Sequence, residues 1–194
     1  MLLGVYICAR SSWWLTLIGA ACMLVGYLYN GGPYPISATP FGELFAGGVM
    51  GSGIILLSCF IQQKAIHIHE VLVSVSFSVL IGAILTANNI RDLENDKRNG
   101  RRTLAIRLGH RQAVRFLAGS LLFANLWIAL LVLLEIVSPW ALLVVGSLWP
   151  AALAVRGFQG ERTPAGMMPA MRRVAQTNTI FGVLLLVGVL AGAY

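Results

Sequence analysis

Six long apolar runs constrain this chain more than any other feature. They cover Trp13–Tyr29, Phe41–Ile61, Val71–Ala87, Ala113–Leu134, Trp140–Val155 and Val174–Tyr194, each bounded by charges or by Gly and Pro. Crossing a hydrocarbon core about 30 Å thick takes about 17–25 predominantly apolar residues in a helix. No water is present in that core to satisfy a bare backbone, so runs of this length are expected to be helical. The expected fold class is therefore all-α: a polytopic transmembrane helix bundle of six full spans plus an N-terminal half-span, forming a single domain over 1–194. Only 11% of the residues are charged and 58% are hydrophobic, whereas a soluble domain carries about 25% charged residues. That excludes an ordinary water-soluble globule, a disordered chain and a nucleic-acid binder with a basic solvated face. Membrane lipid is the expected surroundings, and nucleic acid is not an expected partner.

Charge then sets the sidedness. Arg91, Lys97, Arg98, Arg101, Arg102, Arg107, Arg111 and Arg115 cluster around one connection, and Arg156, Arg162, Arg172 and Arg173 around another on the same side. The other side has only Arg10 and Lys64. The positive-inside rule places the 88–112, 156–173 and 30–40 loops in the cytoplasm of a multi-pass cell-membrane protein. Gly47 and Gly51 form a small-xxx-small pair suited to close helix approach. Cys8, Cys22 and Cys59 are odd in number and scattered through apolar runs, which fits packing rather than a disulfide or a metal site.

One polar segment stands out. Asn88-Asn89-Ile90-Arg91-Asp92-Leu93-Glu94-Asn95-Asp96-Lys97-Arg98 follows an apolar run with no Pro or Gly break, so the helix is expected to continue out of the membrane. Asn88, Asp92 and Asp96 then recur at i, i+4 and i+8 and line one face, while Glu94 points away. Two carboxylates and an amide oxygen are hard ligands of the kind Mg²⁺ takes when it shares its shell with substrate phosphates. Arg91, Lys97, Arg101 and Arg102 supply counter-charge for a polyanion, with guanidinium forks that match phosphate oxygens. The plainer account is a solvated helix end with local ion pairs and a basic loop that anchors topology.

Other polar positions read more simply. Thr39 suits a helix N-cap, with Pro40 in the first helical position and Glu43 in the first turn, where capping accounts for its charge. The Asn30-Gly31-Gly32-Pro33-Tyr34-Pro35 turn lies on the motif side and can line a site there. His67 and His69 belong to the opposite loop, as neutral interfacial histidines. Gln176, Thr177 and Asn178 enter the last run near its charged end, for interhelical hydrogen bonds or a polar cavity wall.

The residues together resemble a known family. Asn88-Asn89-Ile90-Arg91-Asp92-x-x-x-Asp96-x-x-x-Gly100-Arg101-x-Thr103-Leu104-Ala105-Ile106-x-x-Gly109 is similar to the second aspartate-rich motif of the UbiA superfamily of intramembrane aromatic prenyltransferases. Tyr29-Asn30-Gly31-Gly32-Pro33-Tyr34-Pro35-Ile36, Thr39-Pro40-Phe41-Gly42-Glu43, Met168-Pro169-Ala170-Met171 and Thr177-Asn178-Thr179-Ile180-Phe181-Gly182 narrow the likeness. They point to the branch acting on 1,4-dihydroxy-2-naphthoate in menaquinone synthesis. The resemblance implies Mg²⁺-dependent transfer of a polyprenyl group from polyprenyl diphosphate to that ring, with loss of CO₂, giving demethylmenaquinone. It implies Asp92 and Asp96 as catalytic metal ligands together with Asn88, and Asn88, Arg91, Arg101 and Arg102 as diphosphate contacts. Tyr34 and Asn178 are the implied candidates for the acceptor pocket. Ala38 departs from the family's usual Tyr, and Asn30 from its commoner Thr.

The family has about nine membrane helices and a first aspartate-rich motif of NDxxDxxxD type, whereas the only acids before Asn88 here are Glu43 and Glu70. Three runs follow the motif and three precede it, so the chain is expected to be a C-terminal portion lacking the first two to three helices. Such a portion alone is expected to have little activity. Two alternatives stay open at this point: a relative with another aromatic acceptor, and a non-catalytic membrane fragment or subunit.

Overall fold

The computed structural model describes residues 2–192. Among these every regular element is a helix, with no strand. In chain order the helices are α1 (Leu2–Arg10), α2 (Trp14–Asn30), α3 (Gly42–Gln63), α4 (Ile68–Arg91), α5 (Leu93–Arg98), α6 (Leu104–Leu108), α7 (His110–Leu133), α8 (Pro139–Gly160) and α9 (Pro164–Ala191). α3, α4, α7, α8 and α9 are long and apolar enough to cross a membrane, and α2 is a shorter apolar helix of 17 residues. The expected all-α bundle is what the chain forms, with α1 as its short N-terminal helix. Helices α5 and α6 and the turn Ile36–Ala38 lie at one end, where α2, α4 and α8 finish and α3, α7 and α9 begin.

The packed centre is built by α4, α7, α8 and α9. Leu117, Leu121, Ala124 and Ile128 recur along one face of α7 and are fully enclosed, against Leu80, Ala83, Ala87 and Ile90 of α4 and Ala154, Phe158, Val174 and Phe181 of α8 and α9. Lipid tails are as apolar as leucine, so close contact rather than water exclusion holds such helices together. Small residues permit it: a Cβ on Gly157 would sit 2.7 Å from the Ala170 Cβ, and one on Gly51 would sit 2.6 Å from the Ser78 Cα. The small-residue pair in α3 thus does the packing expected of it. Between Gly47 and Gly53 that helix widens into a π-helical stretch. The Ser78 hydroxyl donates to the Gly47 carbonyl at 2.7 Å, and the Ser74 hydroxyl reaches Ser52 at 2.9 Å, so serines of α4 fasten the widened segment.

Three boundaries differ from the sequence reading. The last helix begins at Pro164, not near Val174, because Thr163 caps it through the Gly166 N–H (3.1 Å) and Pro fits the first turn. The expected 156–173 loop shrinks accordingly to the residues between Gly160 and Pro164. The fifth span opens with a 3₁₀ stretch, Pro139–Ser147, before its α-helical part. The third helix starts at Gly42 rather than just after Thr39, whose hydroxyl instead receives the Phe41 N–H at 3.3 Å.

Candidate functional site

The aspartate segment begins as the last turn of α4. There the expected continuous helix is interrupted: Asp92 adopts φ −94°, ψ 7°, and α5 restarts at Leu93. The backbone bonds on either side keep helical spacing, Asp92 N–H to Asn88 O at 3.0 Å and Asp96 N–H to Asp92 O at 2.8 Å. Gly100 (φ 71°) then ends α5 and Gly109 (φ 71°) separates α6 from α7. Both lie in the left-handed region where a Cβ is costly, which gives the motif's glycines a physical reason.

Two acid–arginine units result. Arg91 grips Asp92 through both nitrogens of a fork, Nε to Oδ1 at 2.8 Å and Nη2 to Oδ2 at 2.5 Å, and also donates from Nη2 to Asn88 Oδ1 at 2.6 Å. Its remaining nitrogen rests on two thioethers of α9, Met171 Sδ at 3.0 Å and Met168 Sδ at 3.4 Å. One turn further on, Arg101 pairs with Asp96 at 3.0 Å and donates to the Ser37 carbonyl at 2.9 Å. The Arg102 N–H adds a bond to the Ala38 carbonyl at 2.8 Å, so the Ile36–Ala38 turn is sewn to the end of α5. A cleft of about 450 Å³ opens there, lined by Asn30, Pro35, Ser37, Asn99 and Arg101. The 30–40 turn therefore lines this cleft beside Arg101.

Asn88, Arg91 and Asp92 are brought together in one hydrogen-bonded unit, and Asp96 and Arg101 in the next. Arg102 contributes its backbone while its side chain is exposed. Tyr34 is 88% exposed, out on the turn. Asn178 donates within its own helix to the Val174 carbonyl at 3.1 Å, two turns or about 10 Å along α9 from Met171. Neither Tyr34 nor Asn178 bonds to the motif.

Helix capping does not explain the position of Glu43. Its side chain turns into the bundle, 7% exposed, and Oε1 accepts from Asn89 Nδ2 at 2.9 Å, while Oε2 is buried without a partner. Asn89 is itself buried and sits between Asn88 and Arg91, so this pair ties α3 to the root of the motif. Glu43 also lines a mostly apolar cleft of about 300 Å³ between α3, α4 and α7, together with Gly47, Val79, Gly82, Phe116 and the hydroxyl residues Ser78 and Ser120. The available signal was a lone acid inside an apolar run, which in a membrane protein points to function.

The donor chemistry suits a hard divalent cation. Asp96 is 4% exposed, and its Oδ2 is a buried acceptor with no partner. Asp92 and Asn88 add oxygen atoms one and two turns back along the same segment.

These residues lie within a match to the UbiA prenyltransferase family that covers residues 1–167. The chain is 52% identical over 190 residues to a 1,4-dihydroxy-2-naphthoate octaprenyltransferase of Bacillus subtilis, covering 98% of this chain and 61% of that protein. Proteins of the same name from Mycobacterium tuberculosis and Escherichia coli are 32% and 26% identical, with 58% and 62% of their lengths covered. The chain thus spans about three-fifths of these relatives. No solved structure matches it. With its multi-pass helical bundle and a family match that takes in the whole aspartate segment, the chain belongs to the UbiA prenyltransferase family.

Proposed function

We propose that the protein to which this chain belongs transfers a polyprenyl group from polyprenyl diphosphate to 1,4-dihydroxy-2-naphthoate, as part of menaquinone synthesis. The observation that carries the reading is the pair of acid–arginine units at the end of an apolar bundle. Their supporting context is the 52% likeness to a relative named for that reaction.

Asp92 and Asp96, with Asn88 beside them, would hold Mg²⁺, which when bound neutralises the diphosphate and stabilises it as it departs. Arg91 and Arg101 each neutralise an aspartate, so neither partner can leave without stranding a charge in a half-buried place. A bound diphosphate would draw the arginines to its oxygens, and the freed aspartates would hold the cation, so that no charge is stranded. Arg91 is steered in this exchange, because Asn88 and the two methionines hold its guanidinium plane from three other directions. Arg101, anchored to the Ser37 carbonyl, presents its charge to the cleft beside Asn30 and Pro35. Donors placed where negative charge develops lower the barrier to ionising the allylic C–O bond. The apolar walls of the bundle hold the tail and keep water from the allylic cation. The ring carbon bearing the carboxylate then bonds to the allylic carbon. CO₂ leaves with its electron pair returned to the ring, and the product is demethylmenaquinol, the reduced form of demethylmenaquinone. The excess of arginine and lysine at the motif end supports a cytoplasmic position for it.

The test is turnover by the full-length protein in lipid, with the naphthoate competed against 4-hydroxybenzoate and homogentisate. Mg²⁺-dependent prenylation of the naphthoate, with neither competitor consumed, is expected. Preference for another ring would keep the transfer and change the acceptor. No transfer to any ring would overturn the reading.

A further inference from the structure

The same end of the bundle carries a second group of arginines with a different design. On α7, Arg111, Arg115, Ala118 and Leu122 recur at i, i+4, i+7 and i+11, a single helix face. The antiparallel α8 presents Leu148, Ala151, Ala152, Val155, Arg156 and Gln159 to that face. Where the seam meets the charged end, a cleft of about 320 Å³ is lined by His110, Arg111, Arg115, Gln159 and Arg162. Along the same seam toward the middle of the bundle, a groove of about 360 Å³ is lined by Ala118, Leu122, Ala151, Ala152 and Val155, with Arg156 at its head. Small side chains give the groove depth, and Leu122 leaves 47% of its surface open to the bilayer.

Among the described residues no carboxylate pairs with Arg111, Arg115, Arg156 or Arg162; the ion pairs are those of Arg91 and Arg101. Arg115 donates only to Gln112, at 3.3 Å. Glu161, next to Arg162, lies over Gly166 at the start of α9. Glu94 lines a separate cavity of about 140 Å³ with His110 and Arg162. The first turn of α7, a 24-residue helix, adds its unpaired N–H groups to the positive field.

We propose that the α7/α8 seam binds one anionic phospholipid, its phosphate among Arg111, Arg115 and Arg162 and an acyl chain in the Ala118–Ala152 groove. A free phosphate has no use for the groove. A polyprenyl diphosphate with its divalent cation calls for carboxylates, which this cleft does not line. A monoanionic headgroup above an apolar chain matches both halves of the seam, and basic pockets between membrane helices recognise such headgroups. The inference does not rest on the prenyl-transfer reading.

The experiment is native mass spectrometry of the full-length protein released from detergent with phosphatidylglycerol or phosphatidylcholine added. Phosphatidylglycerol is expected to be retained about tenfold or more over phosphatidylcholine. The R111Q/R115Q/R162Q protein, checked for helicity and monodispersity, is expected to bring that ratio within about twofold, whereas R98Q/R107Q/R172Q, which removes as much charge from the same end, is expected to keep it. A152F, which fills the groove and leaves every arginine in place, is expected to weaken phosphatidylglycerol retention severalfold and serves if the triple variant folds poorly. Equal loss in both triple variants would reduce the effect to general charge and overturn the site. So would undiminished retention in R111Q/R115Q/R162Q and A152F. Displacement of the lipid by millimolar inorganic phosphate would assign a free-anion site instead, and displacement by polyprenyl diphosphate alone would assign a substrate site; either overturns the proposal.

Discussion

The two arginine groups share a residue type and an end of the bundle, yet they are wired differently. Arg91 and Arg101 are each committed to an aspartate, and each is held from a second direction, by Asn88 or by the Ser37 carbonyl. Among the described residues, Arg111, Arg115, Arg156 and Arg162 form no ion pair with a carboxylate and sit at the head of an apolar groove. On the two proposals, the paired arginines open only to cation and anion together, and the unpaired ones take an anion alone. Net charge, the coarsest reading of a sequence, does not separate the two, whereas the partner of each guanidinium does.

Perturbations that act on one group and spare the other test that contrast. The largest effect is expected from Asp96→Asn or Asp92→Asn, which should lower prenyl transfer by the full-length protein at least about 100-fold while leaving phosphatidylglycerol retention intact. Chelating divalent cations should do the same, abolishing turnover and sparing lipid retention; loss of both would erase the distinction. Arg91→Lys keeps the charge and removes the fork, so turnover should fall about tenfold, read from kcat and KM on the diphosphate. Glu43→Ala strands the buried Asn89 amide and should cost about 1–2 kcal/mol of stability, seen as a lower Tm in detergent. Glu43→Gln keeps an acceptor for Asn89 and should lose less. Smallest is the effect of R111Q/R115Q/R162Q on turnover in phosphatidylcholine bilayers, expected within about twofold of the parent protein.

The fold was legible where one physical rule acts alone. Apolar runs had to be helices, and Gly51 against Ser78 is the close approach that small residues permit. Boundaries failed where two signals competed. Arg172 and Arg173 read as a loop by charge, yet Thr163 and Pro164 start the helix that contains them. The acids and arginines of the motif were legible from spacing, since Asn88, Arg91 and Asp92 are neighbours on one turn. The break at Asp92 was not, because neither Pro nor Gly marks it. Two features were hidden because they join distant parts of the chain: Glu43 to Asn89, 46 residues apart, and Arg101 to Ser37, 64 apart. Local capping rules explained Glu43 well enough to mask the signal of a lone acid in an apolar run.

The most direct test follows the carboxylate carbon of the acceptor. Full-length protein in lipid, given polyprenyl diphosphate and naphthoate labelled in its carboxylate, should release labelled CO₂ in step with prenylated ring, only with Mg²⁺ and not when Asp96 is Asn. Equal release from the Asp96→Asn protein, or release without a divalent cation, would contradict the assignment of the acid–arginine units as the diphosphate site.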